Sequence, residues 1–225
     1  MAETADGKTT APAEAEADLF DVRRYERLLK TETFGRKLAY VEEIDSTQRL
    51  AAELAERGAG EGTAALAERQ TAGKGRMGRS WHSPRGKGIW CSLVLRPALA
   101  PPKTPLLTFL VSVAVCRSIR RVAGVPAMIK WPNDILVDGR KVCGILLESQ
   151  AEGGRIRHVV AGIGIGVNLE PDDYPEELRG TATSLRIEAG RTVDREALLA
   201  DLMQELESLY RLMHEEGFGP IRALW

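Results

Sequence analysis

Three histidines and three cysteines are all the imidazoles and thiols that this 225-residue chain holds for metal sites, disulfides or nucleophilic catalysis. Cys91, Cys116 and Cys143 are odd in number, lie in apolar segments and lack metal-type spacing, which argues against a disulfide framework and a zinc site. They read as buried reduced thiols, so the cytosol is the default compartment. No Ser-His-Asp or Cys-His grouping is visible around His82, His158 or His214. Charge of one sign is also missing: 31 Lys plus Arg stand against 32 Asp plus Glu, a net charge of −1. A general nucleic-acid binder is usually basic overall. Long apolar runs are absent as well; Leu106 to Cys116 is broken by Thr108 and Ser112 and is too short to span a membrane.

The hydrophobic content of 44% is ample for the core of one sizeable domain. Met1 to Ala17 has no apolar h-region and reads as a disordered tail, residues 1–17. Residues 18–216 read as one domain, and the apolar end at 217–225 as the start of a further, missing one. Within the domain, Asp18 is a candidate cap for a first helix carrying Val22, Tyr25, Leu28 and Leu29 on one face. Leu38 to Ile44 is a strand, and Ser46 or Thr47 caps a helix that stops at Gly58. Thr63 to Arg69 and Ile89 to Arg96 are strands around a glycine-rich loop. Thr104, Pro105 and Gly124 punctuate an apolar helix. Ala127 to Trp131, Ile135 to Val137, Val142 to Ser149 and Arg157 to Val167 are strands, with Asp138-Gly139 as a hairpin turn. Asp194 caps a helix with Leu198, Leu202, Leu206, Leu209 and Met213 as its buried stripe. The expected class is α+β, a mixed, largely antiparallel sheet with helices packed on one side.

What is present in abundance is concentrated at Thr71 to Gly88, which holds five glycines, five Lys or Arg and no carboxylate. Glycine allows close approach of backbone to ligand, and unpaired cations await an anion. Gly73, Gly75 and Gly78 match G-x-G-x-x-G, but a strand follows instead of a helix, and Lys74 is not placed as in a P-loop. Three further segments carry polar residues that the fold alone does not require. Ser46, Thr47 and Gln48 sit at a helix N-terminus, where free N–H groups serve a cap or a ligand equally. Lys130 lies in an apolar strand beside Trp131, Pro132, Asn133 and Asp134; it either faces solvent or meets an anion. Asp134 is a turn cap or a Mg²⁺ ligand. Gly162, Gly164 and Gly166 alternate before Asn168, baring the strand for a flat ligand or for close packing.

GKGRMGRSW, KWPNDILVDGRKVCGILLES and GIGIGVNL, with DSTQ upstream, resemble biotin protein ligases over roughly residues 37–213. The resemblance implies the biotin/lipoate ligase catalytic fold, akin to class II aminoacyl-tRNA synthetases, with biotin, ATP and Mg²⁺ as its small molecules. It implies biotinyl-5′-AMP formation, then transfer of biotin to a lysine of a carboxylase biotin carrier domain. Ser46, Thr47, Gln48 and Gln70 would hold biotin. Gly73, Lys74, Gly75 and Arg76 would wrap the adenylate, with Arg76 on its phosphate and Lys130 beside the reacting oxygens. Trp81 would pack over the closed loop, and Asn133, Gly144, Gly164 and Asn168 would line the pocket. Lys74 departs from the family's usual Arg at its position, keeping the charge without the planar fork. Neither DNA nor a membrane is an expected partner, and a homodimer is left open. A lipoate-type ligase and a non-catalytic binding module are the alternatives.

Overall fold

The computed structural model describes residues 19–225. The expected tail and the Asp18 cap lie outside them. Helix α1 (Val22–Leu28) is capped instead by Asp21, whose side chain accepts from the Arg24 N–H. Tyr25 and Leu29 are buried, whereas Leu28, expected beside them, is exposed.

Seven strands form one sheet: β1 (Leu38–Ile44), β2 (Ala64–Gln70), β3 (Gly88–Leu95), β4 (Met128–Lys130), β5 (Asp134–Val137), β6 (Arg140–Glu152) and β7 (Arg155–Gly166). Their order is β1-β2-β3-β7-β6-β5-β4. Only β1 and β2 run parallel; every other neighbour is antiparallel. This is the mixed, largely antiparallel architecture expected. The parallel pair needs a crossover, supplied by helix α2 (Thr47–Glu56). The β5–β6 hairpin turns through Asp138 (φ 46°) and Gly139 (φ 79°), a left-handed pair that matches the strand twist.

The two faces of the sheet differ. Alternation sends Ile89, Cys91, Leu93 and Leu95 of β3 into the main core, beneath helices α3 (Leu107–Ala123) and α5 (Arg195–Glu216). The opposite face receives α2, whose Ala51 and Ala55 pack on Ala65, Val94 and Val160. The helices therefore do not share one side. A right-handed crossover between adjacent parallel strands sets the side of α2, and its small apolar residues let it lie close.

Thr104 does not cap α3. Residues Pro101–Leu106 form a 3₁₀ run, and α3 begins at Leu107 without a side-chain cap. Its stop is as expected, with Gly124 at φ 76°. Helices α4 (Leu185–Ala189) and α6 (Phe218–Leu224) have 5 and 7 residues, too few to show a helical period in sequence. Ile221 of α6 is fully buried in the main core. No helix among the described residues is long and apolar enough to cross a membrane.

Asp194 caps α5, accepting from the Ala197 N–H at 3.0 Å, and takes a bond from Arg24 Nη1 at 2.8 Å. Burial raises its carboxyl pKa, but the Arg24 and Ala197 bonds outweigh burial and hold it below the ordinary value. A depressed folded pKa stabilises the fold above the unfolded value, about 3.9, and that stabilisation is lost as pH falls through the folded value. Asparagine caps equally well without the charge. Denaturant titrations should therefore show a gap between the parent and Asp194→Asn at neutral pH that closes on acidification. A gap that widens in acid would contradict this reading.

Candidate active site

A row of directly paired residues crosses the sheet: Ala67, Trp90, Gly164, Gly144, Asp134 and Lys130. Paired residues in adjacent strands share a face, here the one opposite the main core. Gly164 and Gly144 leave a gap in that row. In β7 the alternation has a division of labour: Ile163 and Ile165 fill the core, while Gly162 and Gly164 bare the other side.

Two side chains approach the bared backbone. A Cβ on Gly164 would lie 2.4 Å from Trp81 Nε1, and one on Gly144 2.8 Å from the indole ring. A Cβ on Gly162 would lie 2.4 Å from Gln48 Oε1. The floor is therefore covered by Trp81, which lies on the sheet itself. Trp81 Nε1 is buried without a hydrogen-bond partner.

Trp81 belongs to the flap, residues 71–87, which joins β2 to β3. The Trp81 N–H donates to Gly73 O at 2.8 Å and the Gly75 N–H to Arg79 O at 2.7 Å, folding the loop back on itself. Met77 at the tip has φ 57°. Arg76 Nη1 donates to Asn133 Oδ1 at 2.8 Å, closing the flap onto the β4–β5 turn. Arg85 pairs with Glu42 and Lys87 with Asp173. Lys74, Arg76 and Arg79 have no carboxylate partner among the described residues.

Beneath the flap lies an open cleft, whose space including the solvent at its mouth is about 460 Å³. Of the residues expected at the site, Ser46, Thr47, Gln48, Gln70, Lys74, Gly75, Arg76, Trp81, Asn133, Gly144 and Gly164 line it. Gly73, Lys130 and Asn168 are not in its wall. Lys130 sits on the exposed edge strand, two strands from Gly144, or about 10 Å at ordinary strand spacing. Asn168 spends its carboxamide elsewhere, giving Nδ2–H to Val193 O and accepting the Val193 N–H, both at 2.9 Å.

The cation that does enter the wall is Lys141, at the start of β6. Its Nζ lies 2.7 Å from Asp134 Oδ1 and 5.1 Å from the centre of the Trp81 ring. In sequence Lys141 follows the Asp138-Gly139 turn and looks like a solvated hairpin residue. Only the strand register carries it under the flap. Asp134, considered as a Mg²⁺ ligand, has its Oδ1 in this ion pair. No group of three or more His, Cys, Asp or Glu among the described residues could hold a metal.

Ser92 is a second unforeseen wall residue, and it exposes a shortage of protons. Thr47 Oγ1 lies 3.0 Å from Gln70 Oε1 and 2.9 Å from Ser92 Oγ, and Ser92 Oγ lies 3.2 Å from Gln48 Oε1. The carboxamides are oriented by backbone partners, Thr47 N–H onto Gln70 Oε1 and Gln48 Nε2–H onto Val160 O. Three contacts thus share two hydroxyl protons, since each hydroxyl donates once. One acceptor is left for a donor from outside. Cys91 borders the cavity from a strand whose alternation turns its thiol into the main core, where burial pushes its pKa up to about 12, so it stays protonated and is no nucleophile.

An acceptor-rich end, a glycine floor under the Trp81 indole and a carboxylate-free cationic flap define a site for a small molecule with N–H donors at one end and an anion at the other. The chain belongs to the biotin/lipoate A/B protein ligase family, whose family model matches residues 40–168. It is 50% identical over 197 residues to the "Bifunctional ligase/repressor BirA" of Bacillus subtilis, covering 88% of this chain and 61% of that protein. It is 37% identical over 163 residues to the "Biotin--[acetyl-CoA-carboxylase] ligase" of Paracoccus denitrificans, covering 71% of this chain and 68% of that one. Among solved structures, the biotin protein ligase from Aquifex aeolicus in complex with biotin and ATP superposes with a TM-score of 0.71 at 30% identity, covering 84% of this chain and 76% of that one.

Proposed function

We propose that the chain is an ATP-dependent biotin protein ligase. The observation that carries this is the closed flap: it brings Arg76 onto a cavity whose wall includes Lys141 of β6 and, elsewhere, a hydroxyl and carboxamide cluster short of hydrogen-bond donors. A cyclic urea brings N–H donors to the Thr47, Gln48, Gln70 and Ser92 cluster, and its valerate carboxylate then extends toward the cations. The biotin-ligase names of the relatives, and the biotin and ATP in the Aquifex aeolicus structure, support the biotin branch over the lipoate one.

The chemistry needs no side-chain nucleophile. A biotin carboxylate oxygen attacks the α-phosphorus of ATP, the bond to the bridging oxygen breaks, and pyrophosphate leaves. A lysine amine of a biotin carrier domain then attacks the acyl carbon, loses a proton, and expels AMP. Positioning and cationic stabilisation of the anions carry both steps. Lys141 supplies that charge from the sheet and Arg76 from the flap. Mg²⁺ enters with ATP as part of the substrate, bound through its phosphates. The flap shields the mixed anhydride from water.

The test is incubation with biotin and MgATP, reading pyrophosphate release, then intact mass of an added carrier domain. Biotin-dependent release and one added biotin are expected. Lipoate outcompeting biotin would move the chain to the other branch, and binding without release would make it a non-catalytic module. A charge-assisted bond from Arg76 is worth roughly 1.5–3 kcal/mol. Arg76→Ala should therefore still make adenylate but release it, labelling bystander lysines on an unrelated protein. Confinement of label to the carrier domain in that variant would remove the retention role from Arg76.

A further inference from the structure

We infer that Ser83 is a positioning residue that makes the flap respond to what the pocket holds; the inference rests on the ligase reading. Ser83 lies on the return leg of the flap and is buried. Its Oγ–H donates to Trp81 O at 3.1 Å, and its oxygen accepts from Gln70 Nε2 at 2.9 Å. Gln70 is a wall residue at the acceptor-rich end, and Trp81 is the residue lying over Gly144 and Gly164. One hydroxyl thus joins the pocket's polar end to the backbone of the side chain that covers its floor.

The joint is sterically built. A Cβ on Gly73 would lie 2.5 Å from Trp81 O, 2.9 Å from Ser83 Oγ and 3.0 Å from Gln70 Nε2. The three atoms converge on the space that a Gly73 side chain would fill, which gives Gly73 a role although it is not in the cavity wall. The Ser83 hydroxyl has a single proton and gives it to Trp81 O, so the orientation of the hydroxyl is set by the Gln70 donor opposite. Ser83 N–H is not part of this joint, but its carbonyl is: the Gln70 N–H donates to Ser83 O at 3.3 Å. A ligand that pulls on the Gln70 carboxamide therefore pulls on Ser83, and through it on Trp81. With the ring system of biotin bound at that end, the Trp81 carbonyl is held and the flap is fixed for nucleotide.

The test is the coupling between two ligands. In the parent chain, biotin should tighten a non-hydrolysable ATP analogue by about five-fold or more and slow tryptic cleavage at Lys74, Arg76 and Arg79. Ser83→Cys is nearly isosteric but a weak donor, and both effects should largely disappear in it, as in Ser83→Ala. A merely structural serine would lower the melting temperature and leave the ratio of affinities unchanged. Coupling in Ser83→Cys equal to the parent's overturns the inference. So does independent binding of biotin and the analogue in the parent, even where pyrophosphate release shows that the ligase reading stands. Absence of that release is a separate result, which removes the reading on which this one rests.

Discussion

Replacing Lys141 by alanine should lower biotin-dependent pyrophosphate release by about 100-fold or more, while Lys130→Ala should change it by less than about three-fold. The two lysines compete for one role; the sequence pattern favours Lys130, and the cavity wall contains Lys141. Lys130 sits in an apolar strand beside an aromatic, an amide and a carboxylate. Yet its side chain stands at the sheet's open edge, in solvent. Lys141 enters the cavity wall within 5.1 Å of the Trp81 ring centre, against the flap that carries Arg76. The indole shields this ammonium from water and strengthens its pull on an incoming anion, while the Asp134 carboxylate orients it and offsets part of that pull. Lys141→Arg keeps the charge but not the point-charge geometry and should recover only part of the rate. Equal losses in Lys141→Ala and Lys130→Ala would mean that the edge strand closes over the site when ligand binds.

Local chemistry was legible in the sequence to the extent that it depended on a few adjacent residues. Ser46 caps α2 and also lines the cavity, the flap's glycines and cations are continuous in sequence, and the alternation of Gly162 and Gly164 bares one face as β alternation requires. Features that depend on register were not legible. Gly144, Asp134 and Lys130 lie in one row only because β6, β5 and β4 pair as they do, and a bulge between Ile135 and Leu136 resets the pairing beside Lys141. The side taken by α2 follows from crossover handedness, which the residues of α2 do not encode. Ser83 and Ser92 were unremarkable serines in sequence. Each matters through partners in other segments, Ser92 through residues 44 and 45 positions away.

Arg195→Ala should destabilise the fold by roughly 3–5 kcal/mol, lowering Tm by about 10 °C for a domain of this size. Arg195 is the first residue of α5, and its Nη1 lies 2.8 Å from Glu68 Oε2, with side chains 6% and 1% exposed. Glu68 also accepts from the Phe20 N–H at 2.6 Å and from Tyr40 Oη at 2.8 Å. Burial, reinforced by that bond, raises the Tyr40 pKa, so the phenol remains a donor. Removing the guanidinium leaves a buried carboxylate without its counter-charge, which costs more than the pair itself contributes. Glu68→Gln combined with Arg195→Met should therefore recover part of the loss seen in Arg195→Ala. The same knot holds both stems of the flap. Glu68 lies two residues before Gln70, Arg195 Nη1 also donates to Gly88 O at 3.2 Å, and the Gly86 N–H and Trp90 Nε1 both donate to Glu68 O. Loosening it should raise the KM for ATP at temperatures well below the new Tm. A fall in Tm with an unchanged KM would show that flap closure does not depend on where its stems are anchored.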